Sequence, residues 1–259
     1  MELFLISTPA IIRFVIMLLR VSGIILFAPF FSNQSVPRQI RAAMALVVAY
    51  VLAPSLPLSS IPTGLNWGSI TGLVAGEILS GLLIGFAASC VFAGMQFAGQ
   101  VISFHLGFAL INQFDPQTNV EVPVFSFLYD YLGLLFFLLV NGHHWLLLAI
   151  SDSFGPLPVG GVRIHGSVLA WILELSAQVL VIGLRIAGPV MVVTIIVDVV
   201  LGIIGHAAPQ IHILIVGLPV KILVGFGCLS FSFYFLPRYL ASIYSSLYKT
   251  LFSLVHAMS

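Results

Sequence analysis

FHLGFALINQFDPQTNVEVP, Phe104 to Pro123, is a polar island between the two longest apolar runs of the sequence, and its reading decides the fold. Before it, Gly68 to Ser103 holds one acid, Glu77, and no Lys or Arg; after it, Val124 to Ile150 holds only Asp130. Two hydrophobic arms therefore meet at a segment rich in amides, Phe and Asp-Pro. Such a backbone cannot face lipid, because its N–H and C=O groups would go unsatisfied. It must lie in water, in a protein interior or across a cavity, and the third is the expectation.

Working outward, composition sets the class. With 60% hydrophobic residues, 7% charged residues and a mean hydropathy of +1.18, the chain lies far from the roughly 25% charged content of soluble domains. The expected fold is all-α, a multi-helix membrane-type protein of long bent helical hairpins. Nine Lys plus Arg stand against eight Asp plus Glu, so no long-range field draws nucleic acid or an acidic partner. Cys90 and Cys228 both sit inside apolar runs, where a thiol behaves as a small hydrophobe. Neither a disulfide framework nor a metal spacing follows, and no cofactor is expected. The N-terminus lacks a basic region before its apolar segment and a small-residue cleavage pattern, so it reads as a retained first helix.

The first apolar run, about Ala10 to Phe31, carries Arg13 and Arg20, two turns apart on one helix face. Both can point into protein or snorkel to an interface. After the polar break Ser32 to Arg41, Pro37 opens a short helix over about Arg38 to Leu52. Pro54, Pro57 and Pro62 end it and extend the chain up to Trp67, an expected interface anchor. From Gly68 the chain is apolar for about 40 residues, about 60 Å as one helix, twice a bilayer core. It must tilt, bend or leave the lipid.

Gly68, Gly72 and Gly76, then Gly81 and Gly85, have the small-xxx-small spacing that lets helix backbones approach. A stripe continues from them through Gly81, Gly85, Ser89, Gln96, Gln100 and Ser103 in steps that match a helical face. Two readings stay open. The stripe is a helix-packing seam, or its amides look into a water-filled lumen, since amides in lipid are costly without partners.

Val124 to Ile150 reads as a second long arm ending in NGHHWLLLAISD. His143 and His144 diverge by about 100° on a helix, so they read as interfacial residues beside Trp145 rather than as metal ligands. The Gly/Pro-rich loop Phe154 to Gly166 is the natural boundary between two halves. Beyond it lie spans at about Ser167 to Ile204, with a Gly188-Pro189 break, and about Ile211 to Leu236. If these form a hairpin turning near Pro209, Asp198 and Lys221 reach the same depth, and a buried charge pair is expected there. His206 and His212 do not share a helical face. The tail is amphipathic, with Leu240, Ile243, Tyr244, Leu247, Leu251 and Leu254 on one side and Ser242, Ser245, Ser246, Lys249, Ser253 and His256 on the other. Such a helix lies on a membrane surface or along a partner.

These residues carry a resemblance. The pattern R-x-x-G-x-x-L-x-x-P-F-F from Arg20 to Phe31, VPxxIR at Val36 to Arg41, GEILSGLLIGF at Gly76 to Phe86, GF at Gly107-Phe108 with FDP at Phe114 to Pro116, NGHHWLL at Asn141 to Leu147 and GHAAPQIHILIVGLPVKILVGF at Gly205 to Phe226 are similar, in order, to the FliR/SctT family of type III export-gate proteins. His206 departs from the pattern, where Arg is usual, so no permanent charge is expected at that turn.

The resemblance implies a subunit of the flagellar protein export gate, assembled with several copies of FliP and FliQ, associated with FlhB and FlhA, and placed in the bacterial inner membrane at the flagellar basal body. It implies a FliP-like part over 1–155 and a FliQ-like part over 156–259. It also implies that gate helices can lie above the lipid, which would accommodate the overlong arm from Gly68. In the family the segment between the long arms plugs the closed pore, here about 104–123. Phe108, Leu110, Ile111 and Phe114 would then supply apolar closure, with Asp115 and Pro116 setting the turn.

Such a gate needs no catalytic residue. A ring of apolar side chains excludes water and yields to a threading chain whatever its sequence. No Gly-rich phosphate loop with Lys is present, so an ATPase is excluded. The rival class is a secondary transporter using Glu77, Arg185, Asp198 and Lys221 at a midplane site. An intramembrane protease would need a dyad such as two membrane-embedded aspartates, or HExxH, and no HExxH is present.

Overall fold

The computed structural model describes residues 8–28, 37–57, 67–108, 124–162, 166–210 and 213–258. These residues form an all-α protein of seven α-helices and one 3₁₀ turn: α1 (Thr8–Phe27), α2 (Arg38–Leu52), the turn Ala53–Ser55, α3 (Trp67–His105), α4 (Val124–Leu139), α5 (Gly142–Ser153), α6 (Gly166–Ala207) and α7 (Ile213–Met258). α2 starts directly after Pro37 and ends where Pro54 enters the 3₁₀ turn. α3 runs unbroken for 39 residues, which at 1.5 Å each is about 58 Å.

Two sequence expectations are corrected. The arm from Val124 to Ile150 is not continuous, because α4 and α5 meet at a bend of 67°. Asn141 lies in the left-handed region, with φ at 56°, and that residue turns the chain. Conversely, Gly188-Pro189 makes no break, since α6 runs from Gly166 to Ala207 with Pro189 inside it. The ring removes one backbone hydrogen bond, to the carbonyl of Arg185, while the turns on either side are kept.

The chain divides into two compact units, each assembled from separated segments. The first comprises 1–90, 141–175 and 244–259. Within it, the N-terminal end of α1 and the C-terminal end of α2 line one cleft, so the two helices run antiparallel. α3 runs parallel to α1, with Arg20 beside Glu77 and the Phe27 ring edge-on to Phe86 at 6.3 Å. A Cβ on Gly81 would overlap the Arg20 carbonyl, and one on Gly23 would overlap the α3 backbone; this approach of backbones requires glycine on both helices. The tail of α7 closes the unit. Tyr244, Leu247, Leu251 and Leu254 are buried, and Leu251 and Val255 meet Ala149 and Ser153 of α5. The tail's apolar side therefore packs within its own chain rather than along a membrane surface.

The second unit comprises 91–140 and 176–243. Here α4 runs antiparallel to α3, with Phe92 against Phe137 at 5.5 Å and Gly99 pressed on the backbone of Phe125 and Ser126. α6 runs parallel to α3, Gly94 meeting Ile182. α7 runs antiparallel to α6 and parallel to α4, with Phe226 against Phe125 at 5.7 Å and Phe233 against Tyr129 at 6.1 Å. The outward faces of α6 and α7 stay apolar and exposed, as at Leu180, Ile196, Ile203, Leu223 and Phe231.

Among the described residues four helices are long and apolar enough to cross a bilayer, and the bent pair α4 and α5 would make a fifth.

Candidate functional site

In the first unit the buried face of α1 carries a guanidinium. Arg20 and Glu77 are both 0% exposed. Arg20 Nε donates to Glu77 Oε2 at 2.7 Å and Nη2 donates to Oε1 at 3.1 Å, a two-pronged pairing. Nη1 donates to Ser153 Oγ at 2.7 Å, and the guanidinium lies over the Phe154 ring at 3.6 Å. Glu77 Oε1 also accepts from the Gly160 backbone N–H at 2.9 Å. No nitrogen or oxygen of either side chain lacks a partner. This centre ties α1, α3, the end of α5 and the Phe154 to Gly160 loop together. A saturated pair of this kind fixes geometry rather than moving protons.

The pairing is absent from the sequence expectations above, which read Arg20 as directed into protein and Glu77 as one of a transporter's charges. The available signal was symmetry. Glu77 is the sole acid of its apolar run, and Arg20 is the deeper base of the first run. A lone charge inside an apolar stretch needs an opposite one, and each was the other's candidate.

The end of α3 leads into the central segment. Gly107 takes a φ of 85°, a left-handed value open to glycine, and turns the chain off the helix axis. Phe108 is half-buried, with its ring edge-on to Phe125 at 5.4 Å. Leu106 is buried against Gly225 of α7. Leu110, Ile111, Phe114, Asp115 and Pro116 lie outside the described residues.

The stripe on α3 divides by depth. Gly81 and Gly85 are buried against α1. Ser89 is half-buried, and its hydroxyl donates to its own helix at the Phe86 carbonyl, 2.8 Å. Gln96 and Gln100 are exposed, Gln96 Nε2 donating to Asp130 Oδ1 at 3.0 Å. Ser103 Oγ is buried with no hydrogen-bond partner.

In the second unit Lys221 Nζ donates to Asp198 Oδ2 at 2.7 Å. The pair is not buried within this chain, because the side chains are 17% and 48% exposed. Asp198 shares the open side of α6 with Ile195 and Gly202, and both of those are exposed. Thr194, one turn earlier, donates to the Val190 carbonyl at 2.8 Å. Its hydroxyl also lies 3.3 Å from His105 Nδ1, within hydrogen-bond distance. Of the transporter residues, Glu77 belongs to the first unit, where Arg20 takes it up, while Arg185, Asp198 and Lys221 belong to the second. Among the described residues no group of three His, Cys, Asp or Glu side chains could hold a metal ion.

A model of the family "Bacterial export proteins, family 1" matches residues 11–247. The chain is 28% identical to the flagellar biosynthetic protein FliR of Escherichia coli over 238 residues, 92% of this chain and 90% of that protein. It is 32% identical to FliR of Bacillus subtilis over 218 residues, 82% of this chain and 83% of that protein. To FliR of Pectobacterium carotovorum it is 26% identical over 242 residues, 93% of this chain and 91% of that protein.

Proposed function

Because this chain belongs to family 1 of the bacterial export proteins, matched from residue 11 to residue 247, we propose that it is a subunit of a flagellar protein export gate. In this reading it lines, with FliP and FliQ, a conduit for unfolded flagellar proteins and associates with FlhB and FlhA in the bacterial inner membrane. Residues 1–155 stand in for a FliP-like subunit and 156–259 for a FliQ-like one. The chain performs no bond chemistry. The observation that carries the reading is the family match over nearly the whole chain, and the exposed apolar faces of α6 and α7 agree with it, since they call for neighbouring helices or lipid.

The central segment, about 104–123, is the stopper of the closed conduit. Phe108, Leu110, Ile111 and Phe114 exclude water by apolar contact, and Asp115 with Pro116 shapes the turn. Such a barrier opens when a chain threads it, because its contacts are non-directional. Supporting this, α3 is stopped at Gly107 and Phe108 is packed against Phe125, so the segment departs from a fixed point. The Gln96 and Gln100 side of α3 then faces water or a neighbouring helix.

Two measurements test the reading. A tagged chain should bring FliP and FliQ down from detergent extracts as one species of defined mass, whereas recovery as a stable single-protein unit would refute the gate. Deleting Gln113 to Glu121 should make cells leak ions or small solutes through the assembled complex. An unchanged permeability barrier in an assembled complex refutes the stopper alone.

A further inference from the structure

The first run carries two arginines, and the fold treats them differently. Arg20 has Glu77, Ser153 and Phe154 around it. Arg13, two turns nearer the N-terminus, has no ion pair among the described residues, and its Nε is buried with no acceptor. A guanidinium offers five N–H donors, so a buried N–H with no acceptor among the described residues marks a missing partner.

Arg13 sits in a cleft of about 680 Å³ between α1 and α2. Ile11 and Phe14 form the α1 wall, and Tyr50, Val51 and Pro54 form the other. Val51 is 66% and Tyr50 72% exposed. The volume falls within the range of about 300–1,000 Å³ typical of ligand sites, which are mostly apolar with a few placed polar groups. The depth is informative too. The apolar window of α1 begins at Ala10, so Arg13 lies one turn inside it, near enough to its end for an arginine to reach a headgroup. Tyr50 reaches the same level from the antiparallel α2, and Tyr favours that boundary.

We propose that this cleft holds an anionic phospholipid. Its phosphate accepts from the Arg13 guanidinium, and one acyl chain lies along Ile11, Phe14 and Val51. A net-negative headgroup is favoured over a zwitterionic one because, among the described residues, no Asp or Glu lines the cleft to meet an ammonium group. A carboxylate on a partner helix would satisfy the charge but leaves the apolar length of the cleft unexplained.

The test uses the full chain, alone or in its complex, stripped of lipid and titrated with phosphatidylglycerol or phosphatidylcholine of equal acyl length, with bound lipid counted by native mass spectrometry. Phosphatidylglycerol should bind about fivefold tighter, the factor one basic residue contributes at an anionic surface. R13Q should abolish that preference while R38Q/R41Q keeps it, and V51W, which fills the cleft, should remove the site for both lipids without changing the thermal unfolding of the protein. Equal affinities for the two lipids, or an undiminished preference in R13Q, would overturn the assignment. So would a photo-crosslinker at Val51 that captures a protein instead of lipid. None of these outcomes bears on export, which is read separately.

Discussion

At the scale of single residues, the two ion pairs differ in what surrounds them. Arg20 and Glu77 have given up all contact with water, so each depends on the other for its remaining interactions. Removing one partner of such a pair strands a buried charge and costs about 3–5 kcal/mol, whereas replacing both with apolar groups is often tolerated. Glu77→Leu should therefore lower stability by about that much, and Arg20→Leu/Glu77→Leu should recover most of it. Thermal unfolding in detergent reads both; a double variant as unstable as the single one would refute the account. For Asp198 and Lys221 the expectation is much smaller. Asp198 is nearly half open in this chain, so a double-mutant cycle with Lys221→Met and Asp198→Leu should give a coupling of about 0.2–1 kcal/mol in the chain alone. A much larger coupling would mean that the isolated chain shields the pair from water.

At the scale of elements, close backbone approach and one left-handed residue set the geometry. α3 touches α1 through Gly81 and α4 through Gly99, at positions where a side chain would strike backbone rather than a movable atom. Gly99→Leu should therefore separate α3 from α4 and cost more than the 1–3 kcal/mol of ordinary overpacking. Loss of protease resistance in the second unit is the readout, and a variant as resistant as the parent would show the contact to be dispensable. Asn141→Gly should be close to neutral, while Asn141→Val should cost about 1–3 kcal/mol, because a β-branched residue is disfavoured at positive φ. The bend did leave a mark in the sequence, since Asn141-Gly142 is a turn dipeptide and His143-His144 interrupts the apolar residues on either side, but reading the stretch as one arm passed over it. The prolines around α2 were plain, because each removes a donor and fixes φ. The α7 tail illustrates another limit. Its periodicity told which side was apolar, yet what covers that side depends on α5, about 100 residues earlier in the chain, and no local pattern carries that information.

At the scale of the molecule, the apolar runs made the helices and their membrane character legible, because length and hydropathy are local properties. The grouping of helices into units was not legible. Each unit draws on segments far apart in the chain, and Arg20 with Glu77 joins residues 57 positions apart. The first unit has one more consequence, for biogenesis. Its closing layer is the stretch from Tyr244 to Met258, in which Leu251 and Met258 are wholly enclosed. A nascent polypeptide released from the ribosome before that stretch has emerged leaves Ala149 and Ser153 without their cover. Maturation of the amino-terminal helices is thus coupled to completion of translation. A chain truncated after Ile243 should be degraded in cells, and supplying 244–259 as a separate peptide should slow its turnover.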